Sequence, residues 1–222
     1  IYVAGGLGQH RTSTGGALMA YDSKTLKLKR VLQRPSISIQ TLDCSPDGRY
    51  FALGKEQGEV QLWDARTDKM IALLGSHRSM VNTVTFSPDS KTLASVDLNL
   101  YDYVQRAPME GTLYLWDVAT KKRITKLKNV KSQGYFSVAF SPDGTKIAAG
   151  NGTGIVQIWD LMTGEELGRY QGAASALATA LQFTPDSKEL ACTVIPFAKL
   201  AHGQSEPIQL VDSKTGKRLR SI

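Results

Sequence analysis

Residues 138–163 read VAFSPDGTKIAAGNGTGIVQIWDLMT, and they contain two markers that recur along the chain. The first marker is the turn Ser141-Pro142-Asp143-Gly144, and the second is the pair Trp159-Asp160, followed three residues later by Thr163. Proline fixes φ at the second position of a type I turn, and Asp and Gly suit the next positions, so the first marker joins two strands. The carboxylate of Asp160 at a strand end can accept N–H groups of the turn that follows, which indicates a second hairpin.

Both markers repeat with one shared period. The prolines of the first marker lie 42, 54 and 43 residues apart, and the strand-end aspartates lie 42, 53, 43 and 52 residues apart. Self-similarity at such a period is typical of arrays of one supersecondary unit. The first marker occupies residues 45–48, 87–90, 141–144 and 184–187, and the second comprises Tyr21-Asp22, Trp63-Asp64, Trp116-Asp117, Trp159-Asp160 and Val211-Asp212.

Short runs rich in β-branched and aromatic residues lie between the turns, as in 81–86 and 112–116. Their length and composition predict β-strands. Several runs have apolar residues at both odd and even positions, for example Val156, Ile158 and Trp159. Since alternate residues of a strand face opposite sides of the sheet, this pattern indicates sheets covered on both faces. The sequence therefore predicts an all-β fold in which each unit of about 43 residues forms four antiparallel strands.

With these markers, nearly the whole chain resembles the WD40-repeat family. That resemblance implies a β-propeller built from four-stranded antiparallel blades. The resemblance also implies a ring of about seven or eight blades. We therefore expect this chain to be an open segment of a larger propeller, and the alternative is a closed ring of five blades. The missing first strand and the absence of an initial Met favour a longer parent chain. The expected blades cover about 1–32 (without a first strand), 37–74, 81–127, 135–170 and 178–222.

The composition is ordinary for a globular protein of 222 residues, with 41% hydrophobic and 21% charged residues. No apolar run approaches the roughly 18 residues of a membrane span. The formal charge of +7 could suit nucleic acid or an acidic protein surface. Because the basic cluster 121–128 fits a turn and a solvated strand face, nucleic acid is disfavoured as a partner. Cys44 and Cys192 lie in apolar runs, which predicts buried thiols.

The connections between the second and third strands are long in the first, third and fifth blades, at 6–15, 98–110 and 196–205. In a propeller they share a rim with the connections between blades. Arginine and aromatic residues dominate binding hot spots, so we expect this rim to bind a protein or peptide, possibly an acidic one. The alternative is that the long loops only pack over the blades. The candidate partner-binding residues are Arg11, Arg34, Arg78, Tyr101, Tyr103, Arg106, Lys131 and Phe197.

Three histidines, His10, His77 and His202, fall on the same rim, and three imidazoles can hold zinc. They belong to nonadjacent blades, however, so no metal is predicted. Gly75-Ser76-His77 resembles the Gly-His signature of the family, with one residue inserted. That resemblance implies a structural hydrogen-bond network made of His77, Ser95, Trp116 and, as a possible fourth member, Asp97.

The sequence contains no pattern that favours catalysis. The glycine-rich residues 150–154 join two strands, whereas phosphate-binding loops lead into a helix. We therefore predict a non-catalytic scaffold that needs no cofactor. Two alternatives stay open: a structural or sensor module of a larger multidomain protein, and a propeller hydrolase or lactonase. The sequence does not indicate an oligomeric state or a compartment.

Overall fold

The computed structural model describes residues 2–5, 17–21, 24–33, 39–97, 111–124, 127, 134–173, 176–196 and 207–222. These residues form β-strands and turns and contain no helix. The strands in chain order are β1 (Tyr2–Gly5), β2 (Ala17–Tyr21), β3 (Leu28–Gln33), β4 (Ile39–Cys44), β5 (Tyr50–Lys55), β6 (Glu59–Asp64), β7 (Lys69–Ser76), β8 (Val81–Phe86), β9 (Thr92–Asp97), β10 (Leu113–Asp117), β11 (Arg123–Ile124), β12 (Tyr135–Phe140), β13 (Lys146–Asn151), β14 (Ile155–Asp160), β15 (Glu166–Gln171), β16 (Ala176–Phe183), β17 (Glu189–Pro196), β18 (Gln209–Asp212) and β19 (Arg218–Ser221).

The strands pair into five antiparallel sheets, which we call blades 1 to 5 in chain order. Blade 1 contains the three strands β1–β3, and the other blades contain β4–β7, β8–β11, β12–β15 and β16–β19. In every sheet, strands that follow each other in the chain are hydrogen-bonded neighbours. The predicted all-β architecture of four-stranded antiparallel sheets is confirmed.

The two recurrent markers close the hairpins as their chemistry predicts. At the first marker of blade 2, the Ser45 hydroxyl donates to Asp47 Oδ1 at 2.6 Å and accepts the Tyr50 N–H at 2.9 Å. At the second marker, Asp64 Oδ1 accepts the Thr67 N–H at 2.7 Å and the Thr67 hydroxyl at 2.9 Å. The same Asp–Thr bonds recur in blades 3, 4 and 5.

Successive blades stack through their first strands. β4 packs against β8, β8 against β12 and β12 against β16, while β1 of blade 1 contacts β4. The apolar core is therefore a series of layers between blades. In the layer between blades 2 and 3, for example, Ala52 and Leu62 pack with Phe86 and Trp116. Each layer removes apolar surface from water on two sheets at once, which is the main stabilising effect in such stacks.

The inner blades are covered on both faces, as predicted. In β5 and β9, the second strands of blades 2 and 3, every residue except the first is buried. The second strand of blade 4, β13, is buried along its whole length. In contrast, β17 of blade 5 alternates between buried and half-buried residues. In the described part of the chain, blade 5 is thus covered mainly on the side that faces blade 4.

Side chains also bond the first strands of adjacent blades to each other. The Asp43 carboxylate in β4 accepts the Phe86 N–H in β8 at 2.7 Å, and the Ser137 hydroxyl in β12 donates to the Ala178 carbonyl in β16 at 3.2 Å. Burial raises the pKa of Asp43 above its ordinary value, against the lowering effect of its hydrogen bonds from Phe86 and Cys44. The two inter-blade bonds add polar links between blades to the apolar layers.

The two cysteines differ in their environment. Cys192 is buried as predicted, and burial raises its pKa to about 12. The prediction for Cys44 was wrong because this residue ends β4, where the side chain reaches solvent. No helix among the described residues is long and apolar enough to cross a membrane.

Candidate partner-binding rim and its histidine network

The second and fourth strands of each blade run in the same direction, so their ends lie at one rim, which we call the upper rim. In blade 2, the turn after β5 contacts the connection after β7, because the His77 N–H donates to the Gly58 carbonyl at 2.9 Å. In blade 4, the Gly172 N–H donates to the Gly154 carbonyl at 3.0 Å in the same way. The hairpins closed by the two markers lie at the opposite, lower rim.

The structure places one of the predicted partner-binding residues. Arg78 follows β7 in the connection between blades 2 and 3, and its side chain is exposed at the upper rim. The other candidates lie outside the described residues: Arg11, Arg34, Tyr101, Tyr103, Arg106, Lys131 and Phe197.

The four residues of the predicted network lie together behind Arg78. His77 Nε2 is 2.7 Å from the Ser95 hydroxyl, and the Trp116 indole N–H donates to that same hydroxyl at 2.8 Å. His77, Ser95 and Trp116 are all buried. The network joins the end of blade 2 to the second and third strands of blade 3.

The other ring nitrogen of His77, Nδ1, lies beside Asp97 and Thr112, which flank the connection between β9 and β10. His77 Nδ1 is 2.7 Å from the Thr112 hydroxyl and 3.7 Å from Asp97 Oδ2, and Asp97 Oδ1 accepts the Thr112 N–H. Asp97 is fully buried. Its Oδ2 has no hydrogen-bond partner among the described residues.

These distances fit a tautomer of His77 that carries its proton on Nδ1. Since Trp116 can only donate to Ser95, the Ser95 hydroxyl is free to donate to His77 Nε2. The proton then resides on Nδ1, where it bonds the Thr112 oxygen and faces the Asp97 carboxylate. In this assignment the Trp116 indole, the Ser95 hydroxyl and the Nδ1 proton each have an acceptor.

Two members of the cluster were missed by the sequence analysis. Thr112 completes the polar contacts, and Tyr114 stacks on the His77 ring with centroids 4.5 Å apart and an interplanar angle of 23°. Arg123 lies over the Tyr114 ring, with its guanidinium carbon 4.7 Å from the ring centroid. Thr112 and Tyr114 lie around the beginning of β10, and no motif in the sequence marks them as partners of His77.

Among the described residues of blade 2, the tryptophan has a different hydrogen-bond partner. Its Trp63 indole N–H donates instead to Gln61 Oε1 in the same strand, at 3.1 Å. This bond holds the ring within its own blade. Among the described residues, the histidine link is seen at the junction between blades 2 and 3.

Arg78 presents an exposed guanidinium beside the buried network. The network side chains are buried and bonded to each other, so they position the backbone of the rim. No group of three or more His, Cys, Asp or Glu among the described residues is arranged to hold a metal ion. His10 and His202, which the sequence analysis expects on the same rim, lie outside those residues.

A cavity of about 290 Å³ lies on blade 5. Ala180, Ala191, Cys192 and Ile208 are among its lining residues. The lining is apolar and presents no acid–base pair. It gives no support to a catalytic role.

Comparison with known proteins places the chain among repeat proteins. The family model for "WD domain, G-beta repeat" matches residues 68–117 and 124–160. The predicted WD40 repeats are thereby confirmed.

Three curated relatives illustrate the similarity. WD repeat and SOCS box-containing protein 1 of Mus musculus is 30% identical over 44% of this chain and 21% of its own length. Transcription initiation factor TFIID subunit 5 of Caenorhabditis elegans is 24% identical over 58% of this chain and 18% of its own length. Small ribosomal subunit protein RACK1 of the same organism is 28% identical over 54% of this chain and 36% of its own length. The matches thus span between about a fifth and about a third of these relatives.

Among solved structures, the computationally designed Ika8 protein superposes with a TM-score of 0.72 at 21% sequence identity. The superposition covers 99% of this chain and 58% of the designed one. At this identity the likeness shows a shared fold.

Proposed function

We propose that this WD40-repeat chain is a non-catalytic scaffold that binds a protein or peptide partner through its upper rim. WD40-repeat proteins often serve as protein-interaction modules. Two of the relatives carry names that describe them as parts of larger assemblies, namely a TFIID subunit and a ribosomal subunit protein. By analogy with these two relatives, we infer a scaffold role for this chain.

The observation that carries the proposal is the exposed Arg78 beside the anchored His77. An arginine whose backbone is held in place loses less conformational entropy on binding than one on a loose loop. Its planar guanidinium can bind a carboxylate through two parallel hydrogen bonds. The partner is therefore expected to present acidic groups to the rim, in agreement with the positive charge of the chain.

The test compares charge reversal on the two rims. The upper-rim variant combines Arg34→Glu, Arg78→Glu and Arg106→Glu. The lower-rim control combines Arg49→Glu, Lys91→Glu and Lys188→Glu, whose side chains are exposed in the hairpin turns. Both variants change the net charge equally, so they separate a local site from bulk electrostatics.

Each protein is immobilised and used to capture partners from lysate of the source cells, with quantitative mass spectrometry as the readout and circular dichroism as the folding control. We expect specific partners to bind the unaltered chain and the lower-rim control, and to be lost from the upper-rim variant. Equal retention by all three proteins, or equal loss from both variants, contradicts the proposal.

A further inference from the structure

Strand β7 is the outer strand of blade 2 and has one free edge. It pairs with β6, and no other described strand is its neighbour. With eight residues it is the longest outer strand in the described part of the chain. At about 3.4 Å per residue, its free edge offers roughly 27 Å of backbone N–H and C=O groups.

Exposed edges are normally shortened, bent by bulges, kinked by proline or marked with charges. The pairing of β7 with β6 is irregular next to Ile71 and Leu74, but the strand lacks two of the other protections over most of its length. After Lys69, β7 continues as Met-Ile-Ala-Leu-Leu-Gly-Ser without a charge or a proline. The other described outer strands all carry charged residues, namely Lys29 and Arg30, Arg123, Glu166 and Arg169, and Arg218 and Arg220.

The side chains of β7 add an apolar surface to this edge. Met70 is 49% exposed and Leu73 is 54% exposed, and they lie opposite Trp63 and Gln61 on the same face of the sheet. Ile71 is 36% exposed. Large aliphatic side chains on a strand edge are the contacts that an added strand covers with its own alternate side chains.

The charges around β7 indicate the chemistry of its partner. Arg66 and Lys69 are exposed at the beginning of the strand, and Arg78 is exposed just beyond its end. The nearby acidic groups are already engaged, because Asp64 accepts two bonds from Thr67 and Asp68 is paired with Arg30. An apolar segment with acidic ends complements this arrangement.

We propose that β7 accepts an extended segment of a partner protein as a fifth strand of blade 2, with apolar residues at alternate positions and acidic residues at both ends. The segment pairs with the free backbone edge and covers Met70 and Leu73. This surface is formed by the side of the blade and meets the upper rim at Arg78. One added strand forms a small interface, and small interfaces suit transient interactions.

The probe is a synthetic nonapeptide, Asp-Glu-Val-Thr-Val-Thr-Ile-Glu-Asp, with a fluorescent label. Its matched controls replace the central Val with Pro, or replace the four acidic residues with Lys. Fluorescence anisotropy with the full chain measures the dissociation constant. We expect micromolar binding of the probe, and binding at least tenfold weaker for both control peptides.

Variants of the chain locate the site. Leu73→Lys places a charge on the free edge, while Leu219→Lys introduces the same charge at a similarly exposed residue of the outer strand in blade 5. We expect the first variant to weaken probe binding at least tenfold and the second to change it less than twofold. Unfolding curves of both variants control for loss of fold.

Hydrogen exchange then distinguishes strand addition from side-chain docking. A paired strand should slow the exchange of β7 edge amides at least tenfold, whereas amides of β19 should not change. The proposal is overturned if the probe does not bind at 1 mM, if Leu73→Lys has no effect, or if protection appears only outside β7. It is also overturned if sedimentation shows that Leu73 mediates self-association and excludes the probe, because the occupant is then a second copy.

Discussion

The backbone N–H of Asp47 in blade 2 donates to the hydroxyl of Ser90 in blade 3 at 3.1 Å. The same bond joins Asp143 in blade 4 to Ser187 in blade 5, also at 3.1 Å. Both serines occupy the last position of a lower-rim turn with φ of +62° and +60°, a region that favours glycine. The equivalent residues of blades 2 and 4 are Gly48 and Gly144. Serine therefore accepts a strained backbone conformation at the position from which its hydroxyl reaches the preceding blade.

This relationship predicts a distinctive order of stabilities at position 90. Ser90→Ala loses the hydrogen bond and retains the unfavourable φ, whereas Ser90→Gly loses the bond but relieves the strain. We expect Ser90→Ala to lower the free energy of unfolding by about 1 kcal/mol more than Ser90→Gly does. Urea unfolding measures the difference. A glycine variant as unstable as the alanine variant would show that the backbone conformation carries no strain.

The histidine network predicts a large difference between two adjacent residues. His77→Ala removes the partner of Ser95 and Thr112 and leaves buried polar groups unsatisfied, so we expect unfolding to become easier by about 2–4 kcal/mol. Arg78→Ala, at the exposed neighbouring residue, should change it by less than about 0.5 kcal/mol. Thermal and urea unfolding provide the comparison. Equal stabilities of the two variants would contradict a structural role for the imidazole.

Sequence reasoning captured the repeat and its turns because local chemistry determines both. Asp160 and Thr163 close their turn by contacts that span three residues, and such contacts can be derived from spacing alone. The bond from Asp47 to Ser90 spans 43 residues. Its signal in the sequence is only the exchange of Gly for Ser, which turn chemistry tolerates without revealing a partner.

Exposure of single strands was harder to predict. The run from Met70 to Leu74 has the composition of a buried strand, yet it forms the outer edge of its blade. Cys44 was assigned to the interior for the same reason. In a sheet that stacks on neighbours, burial depends on the position of a strand across the sheet as well as on its residues. Most of the proposed partner-binding residues belong to loops whose conformation no local rule determines.

A third prediction concerns packing between blades 2 and 3. A Cβ added to Gly75 in β7 would lie 2.6 Å from Cη2 of Trp116, so Gly75→Ala should destabilise the fold by about 1–3 kcal/mol. Phenylalanine lacks that part of the indole ring. The alanine substitution should therefore have a smaller effect in a Trp116→Phe background, which a double-mutant cycle in urea measures. Additive effects would argue against direct contact.

A fourth prediction concerns acid. Burial, the largest single influence on Asp143, acts to raise its pKa, but hydrogen bonds from Ser141 and Thr145 outweigh it and lower the pKa to about 2. Hydrogen bonds from Thr67 likewise lower the pKa of Asp64. A folded-state pKa below the unfolded value of about 3.9 contributes stability above pH 4, and this contribution is lost as the pH falls toward 2.

We therefore expect the urea midpoint of the chain to decrease between about pH 4 and pH 2. In the Asp143→Asn variant the midpoint should be lower at pH 7, and its decrease in this acidic range should be smaller. The control is Glu165→Gln, at an exposed position of a lower-rim turn. An unchanged pH profile in Asp143→Asn would show that this carboxylate does not couple folding to protonation.

The alternation of Gly48, Ser90, Gly144 and Ser187 also sets a rule for how such a chain can gain or lose length. Removing blade 3 alone would bring the Asp47 turn next to Gly144, which has no hydroxyl to accept the N–H. Removing blades 3 and 4 together would bring it next to Ser187 and preserve the bond. At the lower rim, the hydrogen-bonding pattern therefore repeats with every second blade, and a deletion or duplication of one pair of blades would keep this pattern intact.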